Sequence, residues 1–434
     1  GRERTGMKLL RTLTLMFAAV VVLGGLAWAE FRFPMPEFES GYEYPEMHTP
    51  PPGRTNDLWD VVLLTCALGL AAWFVLKRRS RPAVLGLTVC SLAYFGFWRE
   101  GCVCPVGSIQ NVAEGVLGLE VVSIAVVCFF LLPLVFALFF GRVFCAAVCP
   151  LGALQEVVAV RPVILPRAVD GVLGIVPYLY LGLTILAVAT GSGYLICQYD
   201  PFVGFFRFGA SLNMFLAGGV LLVTGLFIGR PYCRFLCPYG VLLGWMSRFS
   251  KWHASITPRE CIQCRLCEEA CPYGAINVPT PDKAPLTAKE GARKLGVILA
   301  LAPVIVALGA CTGLLSHTML ARIHPTVQLA QRIAGEEAGR YQGMTIESEA
   351  FRAGVQTKEE LYAEAHAVRA DFKWKSAVFG GFLGLVLAAM LASLSMAGRR
   401  DDYETDRQAC VSCARCFPYC PVEKDEGAVA EQKT

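Results

Sequence analysis

Cys261-Ile-Gln-Cys264-Arg-Leu-Cys267-Glu-Glu-Ala-Cys271-Pro272 returns about 150 residues later as Cys410-Val-Ser-Cys413-Ala-Arg-Cys416-Phe-Pro-Tyr-Cys420-Pro421. Both stretches read C-x2-C-x2-C-x3-C-P. In that run three closely spaced thiolates grip one [4Fe–4S] cubane, while the fourth cysteine ligates the neighbouring cluster. Soft thiolates suit iron–sulfur clusters. Zinc, the competing reading, takes two C-x2-C knuckles rather than three cysteines at this pitch. Two [4Fe–4S] clusters with crossed ligand sets are therefore expected. One joins Cys261, Cys264 and Cys267 to Cys420; the other joins Cys410, Cys413 and Cys416 to Cys271.

The chain around these runs belongs in a membrane. Of 434 residues, 55% are hydrophobic and 17% charged, where a soluble protein carries about 25% charged. Disorder is excluded by the same figures, and a net charge of +4 leaves no electrostatic footprint for nucleic acid. Nineteen cysteines in a chain this long are not a small secreted disulfide scaffold. Eight apolar stretches have roughly the length a span needs: 8–29, 58–76, 82–98, 121–141, 171–195, 211–229, 295–315 and 377–397. Met7, Lys8 and Arg11 before the first, with Ala27-Trp28-Ala29 after it, also read as a secretory signal peptide; it is counted here as a retained signal anchor. The positive-inside rule puts Lys77, Arg78, Arg79, Arg81, Arg142, Arg161, Arg167, Arg399 and Arg400 in the cytoplasm, with both termini.

The expected architecture is thus an all-α polytopic protein of the bacterial inner membrane with about eight transmembrane helices. Residues 1–57 form the anchor and a periplasmic Pro-rich loop, and 58–250 the membrane core. Residues 251–294 and 398–434 are the two halves of a cytoplasmic bacterial-type 2[4Fe–4S] ferredoxin module. The hairpin 295–397 splits that module and carries an outer helical loop. In the loop, Thr357 and Glu360 read as a capping box. Leu361, Ala365, Val368 and Phe372 mark an apolar stripe, which packs on the chain itself or docks a periplasmic partner. The spans hold no ionisable residue at depth, Asp60 lying at an edge, so ion or proton transport lacks its usual signature.

A second motif repeats at a period of 88 residues. Gly141-Arg142 precedes Cys145-Ala-Ala-Val-Cys149-Pro150 with Gly152; Gly229-Arg230 precedes Cys233-Arg-Phe-Leu-Cys237-Pro238 with Gly240. Cysteines four apart share one helical face, the proline stops the helix, and glycine permits close backbone approach. Four thiolates about a pseudo-two-fold axis make a cage for a further [4Fe–4S] cluster; the plainer reading is polar packing at two helix ends.

Paired C-x3-C-P motifs at span ends, followed by C-x2-C-x2-C-x3-C-P, resemble the NapH/NosR-type membrane polyferredoxins from span two to the C-terminus. The resemblance implies electron passage between the quinone pool or a cytoplasmic donor and a periplasmic reductase or cytochrome. Two departures stand out. Residues 30–57 are too few for the periplasmic flavin-binding domain of the NosR type, and the ferredoxin halves are separated.

A third set is expected at the outer face. Cys102-Val-Cys104-Pro105-Val-Gly107 follows span three, and Cys197-Gln-Tyr-Asp200-Pro201 with Gly204 follows span five. Three cysteines need another ligand to complete a cubane, with Asp200 and Glu100 as candidates; a disulfide such as Cys102–Cys197 is the alternative. Cys66, Cys90, Cys128 and Cys311 stand alone in apolar spans and behave as small hydrophobes. No C-x-x-C-H for covalent haem occurs, and none of the five histidines lies mid-span. The function read from these residues is membrane electron transfer to a periplasmic cytochrome or flavoprotein within a redox complex. The alternatives are a quinol dehydrogenase subunit with a quinone pocket near Trp98, Arg99 and Glu100, and a redox-sensing or maturation protein.

Overall fold

The computed structural model describes residues 54–422, except 102, 119–120, 161–162, 164–165, 208–211, 257–260, 281–287, 342 and 396–399. The expected first span, most of the Pro-rich loop and the expected outer ligand Cys102 lie outside the described residues. The chain divides into two units between Trp59 and Asp60; apart from residues 54–59, the following concerns the second.

Among the described residues, four apolar helices are long enough to cross a membrane: Asp57–Arg78, Val169–Ala189, Glu290–Leu315 and Lys358–Ser393. The first begins as α1 (Arg54–Trp73), widens into a π turn over Phe74–Arg78, and stops at Arg79, which adopts the left-handed conformation with φ 51°. Ser80 then caps α2 (Arg81–Ser91), which continues as a π-helical segment to Trp98. After α3 (Pro105–Val116) come two shorter apolar helices, α4 (Ile124–Phe140) and, past α7 (Val176–Ala189), α8 (Leu212–Gly225). At 1.5 Å per residue α4 reaches only about 26 Å, short of a hydrocarbon core of about 30 Å, and α8 ends at Gly225. The expected span 121–141 is therefore longer than the helix that forms, and 211–229 runs past the end of α8.

Each short helix runs into one C-x3-C-P repeat. The first repeat is α5 (Val143–Ala147) and α6 (Pro150–Val158); the second is α9 (Pro231–Phe235) and α10 (Pro238–Arg248). Contrary to the sequence expectation, neither pair of cysteines shares a helical face, and the prolines end nothing. Cys149 and Cys237 are extended N-cap residues at φ −67°, and Pro150 and Pro238 open the following helices. Proline is favoured there because the first turn has no use for its missing N–H.

The last hairpin consists of α11 (Ala288–Leu315) and α14 (Lys358–Ser395), with α12 (Pro325–Glu337) and α13 (Ile346–Ala353) between them in the chain. A Cβ on Gly313 would lie 2.0 Å from the Ser376 carbonyl oxygen, and one on Gly380 2.1 Å from that of Gly309. Small residues spaced as G-x-x-x-G let two membrane helices bring backbones together. The expected span 377–397 and the helix before it form one 38-residue rod, about 57 Å long, so its polar N-terminal turns project beyond the apolar part. There Thr357 and Glu360 close the expected capping box, at 2.9 and 3.3 Å. The stripe is buried on its own chain: Leu361 and Ala365 pack on Val327, Ala330 and Ile333 of α12 (Pro325–Glu337), and Phe372 on Leu186 and Ala321.

The ferredoxin halves rejoin through an antiparallel pair, β1 (Ile276–Asn277) and β2 (Glu404–Thr405), with Ile276 opposite Thr405. The Asp406 amide donates to Ala275 at 2.8 Å, and Thr280 and Arg400 exchange two further hydrogen bonds. The module is held to the membrane core by Ser247, whose hydroxyl donates to the Arg407 carbonyl at 2.6 Å, and by Arg81, which donates to that of Cys413 at 2.9 Å.

Candidate iron–sulfur sites

Two pockets lie in the ferredoxin module. Cys261, Cys264, Cys267 and Cys420 line one, with Ile256 and Tyr403; Cys271, Cys410, Cys413 and Cys416 line the other, with Tyr273 and Ile276. The structure thus brings together the crossed groups read from the sequence. The two loops share one backbone. Gln263 and Arg265 in the first, and Ser412 and Ala414 in the second, have positive φ between 51° and 66° at equivalent positions. Non-glycine residues held there cost on the order of 1 kcal/mol each, and successive amides in such a bend point into an anion-binding concavity. The Ser412 amide donates to Cys410 Sγ at 3.4 Å. Burial pushes the Cys410 thiol up to about 12, against the Ser412 N–H. The Cys410 thiol holds its proton until a cation displaces it.

In the core, Cys145 sits on α5, Cys233 on α9, and Cys149 and Cys237 at the entrances to α6 and α10. Burial raises the Cys149 thiol well above its ordinary value, and Cys233, Cys145 and Cys237 raise it further; the four face one another. The Gly152 amide bonds Cys149 and the Gly240 amide bonds Cys237. Both glycines are also pressed by an arginine from the opposite repeat. A Cβ on Gly152 would lie 3.3 Å from Arg230 Nη1, and one on Gly240 3.3 Å from Arg142 Nη2. Gln155 donates to Cys233 Sγ at 3.4 Å, and its oxygen accepts the Tyr232 amide at 3.0 Å.

Sequence reading missed the charged group joining these sites. Glu156 on α6 is buried and accepts from Arg230 Nε at 2.9 Å, Arg415 Nη2 at 2.7 Å and the Tyr273 hydroxyl at 2.7 Å; Arg81 pairs with it too. Burial alone would push its carboxyl up, but the guanidiniums of Arg230, Arg415 and Arg81 hold it at about 2. One carboxylate thereby ties α2, α6, the second repeat and both ferredoxin halves.

The third set is partly assembled. Cys104 is the N-cap of α3, followed by Pro105 at N1, as Cys149 and Cys237 are in their repeats. Its thiol is pushed up to about 12 by burial, then by Asp200, and also by Cys197, which places the three together. A Cβ on Gly107 would lie 3.3 Å from Cys197 Sγ. Asp200 occupies the place of a second cysteine: its Oδ1 accepts the Phe202 amide at 2.9 Å and its Oδ2 the Tyr232 hydroxyl at 2.9 Å. Cys104 and Cys197 are not joined in a disulfide. Glu100 stands in the left-handed region at φ 52°. Arg99 is drawn to buried Asp60, Nη2 to Oδ2 at 2.6 Å, and Tyr94 shares that carboxylate. His317 bonds the Leu314 carbonyl and His324 caps α12 through Thr326.

Among the described residues, no three His, Cys, Asp or Glu side chains are close enough to hold a single metal ion.

Residues 122–168 and 211–257 match a family described as a 4Fe-4S binding domain, and 254–277 matches another of the same description. The chain is 29% identical to YccM of Escherichia coli over 187 residues, 39% of this chain and 52% of that protein. It is 30% identical to the uncharacterized protein MJ0750 of Methanocaldococcus jannaschii over 191 residues, 41% of this chain and 76% of that one. Against the ferredoxin-type protein NapH of E. coli the identity is 26% over 228 residues, 46% and 75% of the two chains. The chain therefore spans about half the length of YccM but three quarters of the other two. No solved structure matches.

Proposed function

Because the chain belongs to the NapH/NosR-type membrane polyferredoxins, we propose that it conducts electrons across the bacterial inner membrane, between cytoplasmic or quinone-side carriers and a periplasmic redox partner. Each [4Fe–4S] cluster, when bound, takes up and releases one electron. The cysteine sets fall in a sequence. Cys261, Cys264, Cys267 and Cys420 stand first in this reading. Cys271, Cys410, Cys413 and Cys416 come next, with Cys410 beside Arg142 and Cys413 beside Arg230. Cys145, Cys149, Cys233 and Cys237 lie beyond those arginines, and Cys102, Cys104 and Cys197 form the outer terminal. The ferredoxin module and both termini face the cytoplasm in this reading.

The observation that carries the reading is the hydrogen bond from Tyr232 to Asp200. Tyr232 adjoins Cys233, and Asp200 belongs to the outer motif with Cys104 and Cys197. One side chain thus links the outer and inner sets. Buried Phe202, packed edge-on to Tyr232 at 5.2 Å, keeps water from the junction.

Iron counting and electron delivery test this together. The chain should hold more than the roughly twelve iron atoms of three cubanes. Cys104→Ser or Cys197→Ser should lower iron to that value and stop delivery to an external acceptor, while dithionite still reduces the ferredoxin clusters. Unchanged iron with unchanged delivery refutes the outer terminal.

A further inference from the structure

The two repeat arginines are not equivalent. Arg230 is neutralised by Glu156. Arg142, its counterpart one period earlier, is 8% exposed and has no carboxylate partner among the described residues. Its Nη1 donates to the Gln408 carbonyl at 3.1 Å, its Nη2 approaches Cys145 Sγ at 3.8 Å, and its buried Nε has no hydrogen-bond partner. The charges facing it are the thiolates of Cys145, Cys237 and Cys233, with Cys410 across the boundary to the ferredoxin. A buried guanidinium without a counterion is costly unless another anion supplies the charge. The cysteine cage is the anion the geometry offers.

We propose that Arg142 is the charge-compensating residue of the cluster held by Cys145, Cys149, Cys233 and Cys237, and that it sets that cluster's reduction potential. The inference rests on the cluster reading above. Reduction adds one electron and no proton, so the cage becomes more negative by one charge. A fixed cation at its edge favours the reduced form, since net charge and hydrogen bonds to sulfur set cluster potentials. Arg230 does this less, its charge being shared with Glu156. Arg142 is a positioning residue, touching a ligand sulfur rather than iron.

The test is a potentiometric titration of the full chain in detergent, following each cluster by electron paramagnetic resonance and counting iron. At a fixed potential, Arg142→Gln should lower the reduced-to-oxidised ratio of this cluster about tenfold, which is about 59 mV for a one-electron couple. The ferredoxin signals should move much less. Arg142→Lys, which keeps the charge, should stay within about twofold of the native ratio. If Arg142→Gln does not load iron, Gly240→Ala, whose new Cβ displaces the guanidinium from 3.3 Å, should give a smaller shift in the same direction. A loaded cluster whose ratio does not move, or moves equally for Gln and Lys, overturns the inference alone. If Cys145→Ser removes no iron from the native chain, the cluster reading fails and the inference with it.

Discussion

Glu156 concentrates more of the protein's electrostatics than any other carboxylate among the described residues. Three guanidiniums and a tyrosine hydroxyl converge on it from parts of the chain up to 259 positions away. Removing one partner of a buried charge set leaves the others uncompensated, at a cost of about 3–5 kcal/mol. Glu156→Gln should therefore lower the unfolding midpoint in detergent and loosen both ferredoxin halves. The sign of the pH effect follows from its depressed value. The stabilisation is whole above the unfolded carboxyl value of about 4.5 and is lost as pH falls towards about 2. The native chain should show an acid limb in that window that the Gln variant lacks; identical limbs would remove Glu156 from this role. The sequence did not flag this residue. A single Glu after Gln155 has neither a spacing partner nor a periodic pattern, and its arginines lie far away in the chain. The cysteines were legible because ligand spacing is local, within three or four residues of backbone.

At the scale of elements, two devices recur. Cysteine at an N-cap with proline next opens α3, α6 and α10, whereas for Pro150 and Pro238 the sequence suggested only a helix stop. Proline is compatible with either side of a helix boundary, and only the extended conformation of the cysteine decides. The other device is the glycine seam of α11 and α14. Its G-x-x-x-G spacings are plain in the chain, yet such spacing specifies a crossing only once the partner helix is known. The seam predicts a sharp contrast between neighbours. Gly380→Ala places a methyl against the Gly309 carbonyl, whereas a Cβ on Gly381 meets only Ala310 at 3.7 Å. Gly380→Ala should cost roughly 1–3 kcal/mol and release iron from the ferredoxin sites. Gly381→Ala should leave both unchanged. Equal behaviour in thermal unfolding and iron retention would show that the hairpin does not depend on close backbone contact.

For the molecule as a whole, the crossed cysteine groups make the ferredoxin a product of both ends of the hairpin. Cys420→Ser should remove about four irons and only the signal of the cluster shared with Cys261, Cys264 and Cys267. Loss of the Cys410 signal instead would mean that each run closes its own cluster. The helical membrane character was readable from the sequence, and the two cysteine groups it suggested line separate pockets. The end of α4 was not, because hydropathy marks apolar stretches without locating the glycine that breaks them, as at Gly141. The split carries a consequence for biogenesis. About 160 residues separate Cys261 from Cys420, and at roughly 5–20 residues per second the ribosome needs about 8–30 s to deliver the partner. Throughout that interval the first three thiols wait as an incomplete, oxidisable trio. Iron loading of the module must therefore follow insertion of the final helix, so a chain that stalls at that step stays unmetallated and is distinguishable to quality-control proteases from a finished one.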